Sequence, residues 1–157
     1  MNTQMLLPAC LTLHLTALTL MAGTTVVDYI TFKSFWKLFY KEKEKAIGVM
    51  QVMATFSRLI GIGAAVLILT GIGMMALTNG VFGEQLWFRI KFGLVIILIL
   101  NGAFVGRRQG VKLRKLINSE PGSPDQVNAI RANLNKFYLI QLSIFFIIIL
   151  LSAFKFN

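Results

Sequence analysis

Apolar residues run along this chain in four long blocks, at about residues 5–31, 59–78, 86–105 and 137–154, with most charged residues gathered between them. A helix rises 1.5 Å per residue and a bilayer core is about 30 Å thick, so roughly 20 apolar residues cross it. The blocks are of that order and predict four transmembrane α-helices. The second holds Gly61, Gly63, Gly71 and Gly73, a glycine content common in membrane helices. Asn79-Gly80 and Gly83 mark a short turn after it. Glu120-Pro121-Gly122-Ser123-Pro124-Asp125 marks a loop, within which Ser123-Pro124-Asp125 can start the helix leading into the fourth span. Residues 46–57 are moderately amphipathic and extend the second helix out of the membrane; residues 107–115 extend the third. Four helices with their loops account for all 157 residues, and no internal repeat is visible. The expected fold is all-α: one transmembrane domain, an integral membrane antiparallel four-helix bundle.

Charge adds an orientation. Of the 16 Lys and Arg residues, five lie in Lys33–Lys45 and seven in Arg107–Lys136. Both segments follow an apolar block, and the turn between the second and third blocks carries only Glu84. The positive-inside rule then places both basic loops inside and both termini outside, as a multi-pass protein of the cell's inner (plasma) membrane. The same distribution accounts for the net charge of +10 without a nucleic-acid partner. Trp36 and Tyr40 beside lysines read as an interfacial segment at the inner headgroups. The one cysteine, Cys10, excludes an internal disulfide. Leu7-Pro8-Ala9-Cys10 has the outline of a lipoprotein cleavage box, but no basic residue precedes it and the apolar stretch follows it. Neither lipidation nor a cleaved signal peptide is expected, and Cys10 reads as a small apolar residue of the first helix.

Ionisable groups within a span are costly and mark functional candidates. Four stand out, His14, Asp28, Arg58 and Lys91, with Asn101 and Gln141 polar but uncharged. His14, Leu18, Met21, Thr25 and Asp28 recur at steps of three and four, so they line one helix face that should point into the bundle. Ser57, Gly61, Ala64, Gly71 and Thr78 form a small-residue face on the second helix, suited to close packing or to a flat ligand. Trp87, Lys91, Val95, Leu98 and Gly102 form a stripe on the third. Asp28 and Arg58 both fall near the inner ends of antiparallel helices and are expected to form a structural ion pair. His14 and Lys91 lie at outer-half depths that differ by only roughly 6 Å, so they can converge on one site. Plainer roles stand beside these. His14 can hydrogen-bond a neighbouring helix, and Lys91 can snorkel outward with Arg89 and Trp87. Arg89 is two residues from Lys91 and faces the other way; the seven methionines read as lipid-facing or packing residues.

Several enzyme classes are excluded. One histidine and one cysteine cannot build a closed zinc site. No carboxylate pair lies within a span for glycosidase chemistry, and Gly61-x-Gly63 sits inside a span rather than in a nucleotide-binding loop.

The chain resembles the HemJ-type protoporphyrinogen oxidases and their relatives of the CopD-like membrane fold. The shared features are His14 in helix one, Arg58 and Thr70-Gly71 in helix two, Trp87-x-x-x-Lys91 at the start of helix three, and the basic Arg107-Arg108 at its end. The resemblance covers most of the chain through short motifs. It implies haem b as cofactor, with His14 and Lys91 as its ligands and Trp87 and Asn101 as further cofactor-binding positions. It also implies a membrane oxidoreductase passing electrons from a porphyrinogen-like or other hydrophobic donor to a quinone. Where that family tends to carry a Tyr-His pair, this chain reads Leu100-Asn101-Gly102. The alternative from another class is a non-catalytic membrane subunit or packing scaffold without haem, in a homo-oligomer or beside a partner membrane subunit.

Overall fold

The computed structural model describes residues 3–118 and 123–154, nearly all of them helical. In chain order these are α1 (Thr3–Phe39), α2 (Lys43–Leu77), a 3-10 turn (Val81–Glu84), α3 (Leu86–Leu100), a π-helical stretch (Asn101–Gly106), α4 (Arg107–Asn118) and α5 (Pro124–Phe154). Four rods are long and apolar enough to cross a membrane: Met5–Phe39, Lys43–Leu77, Leu86–Ile117 and Pro124–Phe154. The expected four spans are therefore present, and the chain is a multi-pass membrane protein. Its surface agrees. Leu13, Leu15, Ile62, Leu69, Ile72 and Phe146 are among many large apolar side chains left exposed, far beyond what a water-soluble surface carries. Without water, hydroxyls must find partners within the helix. Accordingly Thr12, Thr16, Thr19, Thr25 and Thr31 each donate to the carbonyl four residues earlier.

The rods are longer than the apolar blocks. A helix of 35 residues is about 52 Å long, against a core of about 30 Å. In α1 the helix passes straight through the lysines after residue 31. The reason is spacing: Met21, Thr25, Asp28, Phe32 and Phe35 continue one face in steps of four and three, and all five are buried. Phe32, Phe35, Trp36, Phe39 and Tyr40 pack edge-on or tilted in a ladder with centroid separations of 5.2–6.4 Å. Phe35 and Trp36 are thus interior residues rather than headgroup anchors, while Tyr40 stays exposed. Lys33 turns outward over the Tyr29 ring, 4.5 Å from its centroid.

The chain divides into two compact units, the first reaching Arg89 and the second starting at Ile90. In the first, α1 and α2 form an antiparallel hairpin. Its turn is closed by Lys41 and Glu42 donating to the Leu38 carbonyl at 3.0 and 2.7 Å, and Glu42 pairs with Lys45. Glycines let the two backbones approach: a Cβ on Gly63 would stand 3.3 Å from Met21 Cβ, one on Gly71 3.7 Å from His14 Cε1, and one on Gly73 3.8 Å from Cys10 Sγ. α2 ends where Asn79 and Gly80 take positive φ, 52° and 75°, and Gly80 N–H reaches back to the Met75 carbonyl at 3.0 Å. That conformation suits asparagine and glycine, so the expected turn is found where the sequence put it.

In the second unit α4 and α5 pack together, and α5 also packs on the π-helical stretch. Gly106 makes that approach possible, because a Cβ there would stand 2.9 Å from Phe137 Cζ and 3.1 Å from Cε2. Gly106→Val should therefore lower stability by about 1–3 kcal/mol, because the added side chain meets the Phe137 ring. Denaturant unfolding in detergent measures it, and an unchanged midpoint would show that the ring moves aside freely. α5 starts as expected: Ser123 caps it, its carbonyl accepting from Gln126 and Val127 at 2.9 and 3.2 Å and its Oγ from Gln126 at 3.4 Å. Pro124 occupies the first turn, where a missing N–H costs nothing. The Glu120-Pro121-Gly122 part of the expected loop lies outside the described residues.

Candidate functional site

The polar face of α1 forms as its spacing implies. Ala17, Met21, Thr25 and Asp28 are buried and His14 and Leu18 half-buried, while the intervening Leu13, Leu15 and Leu20 are exposed. On α2 the side turned to α1 is not the Ser57–Gly61–Ala64 face but one carrying Gly63 and Thr70, both buried. Gly61 stands two residues from Gly63, about 160° around the helix, and a Cβ there would meet nothing. The space that the sequence offered to a flat ligand at Gly71 is taken up by His14 itself.

Thr70 gives His14 its chemistry. His14 Nδ1 lies 2.8 Å from Thr70 Oγ1. The Thr70 hydroxyl has one proton, directed to the Val66 carbonyl at 2.6 Å with Leu67 O at 3.2 Å. With that proton on the Val66 carbonyl, Thr70 Oγ1 accepts and Nδ1 donates. In that tautomer Thr70 orients the imidazole from behind, as a second residue does for a metal-binding histidine. In the sequence Thr70 belongs to the Thr70-Gly71 pair, with no local signal that sets it beside His14. Depth could have joined them: they lie 27 residues before and 29 after Lys41, about the same height above the hairpin turn.

Asp28 and Arg58 do not behave as an expected pair. Asp28 is buried, Arg58 is exposed, and among the described residues no ion pair joins them. Their heights along the hairpin match, but Arg58 is five residues from both buried positions Met53 and Gly63, about 140° around the helix from each.

On α3, Trp87 and Leu98 are buried and Lys91, Val95 and Gly102 half-buried, so the expected stripe is the less exposed face. Arg89 points away from it, exposed, with Nε donating to the Gly83 carbonyl at 3.0 Å. It thereby braces the 3-10 turn, a task its spacing did not reveal. Asn101 opens the π-helical stretch, and its Nδ2 donates to Gln141 Oε1 at 2.9 Å, with Gln141 only 3% exposed. Asn101 is thus committed to binding α5. π-Helical turns within α-helices recur at functional sites. Cys10 is half-buried against Gly73, as a small packing residue, and no cluster of three or more His, Cys, Asp or Glu side chains forms among the described residues. A comparison with family models, curated proteins and solved structures finds no match to this chain.

Proposed function

We propose that this multi-pass membrane protein binds haem b through His14 and serves as a membrane redox protein, with its basic loops inside and both termini outside the plasma membrane. The observation that carries the reading is the His14–Thr70 hydrogen bond, which holds the imidazole in one orientation between the two helices. A neutral imidazole is a standard axial ligand for haem iron. Bound haem supplies one-electron chemistry, and the chain's own residues hold and orient it. Thr70 fixes the ring, Gly71 allows the helices to close on it, and Met21, Thr25 and Ala17 keep water from that side of α1. The resemblance to the HemJ-type oxidases adds a hydrophobic or porphyrinogen-like donor and a quinone acceptor.

A second reading rests on the same contact. His14 and Thr70 also serve as interhelical glue in a scaffold subunit, where such bonds contribute about 0.6 kcal/mol. A visible spectrum separates the two. Protein purified from haem-replete cells is expected to show a Soret band that His14→Ala abolishes, while Lys91→Ala reports whether α3 supplies a ligand. A colourless wild-type protein would leave the scaffold reading standing, and an unchanged spectrum in His14→Ala would remove His14 as ligand.

A further inference from the structure

The rod Leu86–Ile117 contains 32 residues and is about 48 Å long, roughly 18 Å more than a bilayer core. That excess equals about 12 residues, and α4 has 12. α4 is therefore the part of the rod that emerges among the lipid headgroups. Its sequence carries five basic residues and no acidic one. Arg107, Arg108, Lys112, Arg114 and Lys115 are all exposed and fall within an arc of about 160°. Gln109, Leu113, Leu116 and Ile117 are buried and occupy an arc of about 100° on the opposite side. Among the described residues no ion pair takes up Arg107, Arg108, Lys112 or Arg114. At this depth Arg107, Arg108, Lys112 and Arg114 face the zone that holds lipid phosphates.

Two features say which anion. Val111 is 47% exposed in the middle of the cationic arc, and Phe104, about two turns earlier, is 69% exposed. A free phosphate or a nucleic-acid backbone gains nothing from apolar side chains set among and beneath the charges. A phospholipid does, since its phosphate lies beside its own glycerol and acyl chains. Guanidinium groups also match phosphate oxygens in pairs, and two of them stand together at the start of α4.

We propose that α4 is a binding surface for anionic phospholipid. Arg107 and Arg108 hold the phosphate, Lys112 and Arg114 extend the positive field, and Phe104 and Val111 lie against the acyl chain. The inference does not rest on the haem reading and uses none of the residues assigned there to holding haem. The test uses the full-length protein, extracted in detergent and returned to nanodiscs of phosphatidylcholine with a minor share of phosphatidylglycerol. Lipid retained by the protein is then counted by native mass spectrometry. Phosphatidylglycerol should be enriched over phosphatidylcholine. Each basic residue near an anionic surface contributes about 1 kcal/mol, so retention should fall about fivefold per cation removed. Arg107→Gln with Arg108→Gln should reduce it most, and Arg107→Lys with Arg108→Lys should keep much of it. If the glutamine pair does not give a monodisperse protein, Lys112→Gln with Arg114→Gln carries the same test. Equal retention of both lipids, or retention that ignores all these substitutions, overturns the proposal. Displacement of phosphatidylglycerol by inorganic phosphate also overturns it, because the site would then be one for free anions.

Discussion

Replacing Thr70 with valine should weaken haem binding by about 10- to 100-fold, the range typical when a residue orienting a metal-ligating histidine is lost. Valine keeps the shape of threonine and removes only the oxygen that accepts from His14 Nδ1 at 2.8 Å. Without that acceptor the ring can place its proton on either nitrogen, and the tautomer protonated on Nε2 has no lone pair to give a metal. Thr70→Ser keeps the oxygen and should bind as the parent does. Titration of haem-depleted protein with haem, followed at the Soret band, measures the affinity. The double variant His14→Ala with Thr70→Val should be no worse than His14→Ala alone, because Thr70 acts only through the ring. If Thr70→Val binds haem as tightly as the parent, the orienting role is lost. If neither protein binds haem and both variants lose the same few tenths of a kcal/mol of stability, the contact is helix packing.

The parts of this molecule that were legible in the sequence are those set by one helix alone. His14, Met21, Thr25 and Asp28 share a face of α1 because a 3.6-residue period is a property of the chain itself. The turn at Asn79-Gly80 and the start of α5 at Ser123-Pro124 were legible for the same reason: each is a local backbone choice. What needed a partner was not legible. Glycines stand on several sides of α2, so composition could not choose between Gly61 and Gly63, and only the approach of Met21 decides. Arg58 sat at the right height for Asp28 and on the wrong side of its helix. Asn101 and Gln141 were each conspicuous as polar residues in a span, but their hydrogen bond joins positions 40 apart. The continuation of α1 to Phe39 was hidden differently. Lysines at 33 and 37 lower the local hydropathy, yet Phe32, Phe35 and Trp36 keep the buried face intact beneath them.

Impermeant thiol reagents applied to intact cells should label a cysteine in the 3-10 turn and none in the basic segments. Four crossings put both termini on one side, so a single loop fixes the whole orientation. Twelve of the sixteen basic residues lie in 33–45 and 107–136, and of the other four Arg58 is within α2. The bias of Lys and Arg near span ends decides topology, and here it is strongly one-sided. Residue choice matters for the test. Gly80 has φ +75°, which a cysteine would adopt only with strain, whereas Val81 beside it is 64% exposed in the 3-10 turn. Cys10 is replaced by alanine first to clear the background. In that form Val81→Cys should react in intact cells, and Lys41→Cys and Lys112→Cys, both at exposed positions, only after permeabilisation. The contrast is close to all-or-none, so one clear reversal decides it. Labelling of Lys41→Cys from outside, with Val81→Cys protected, would invert the protein and place α4 and its row of cations on the outer surface.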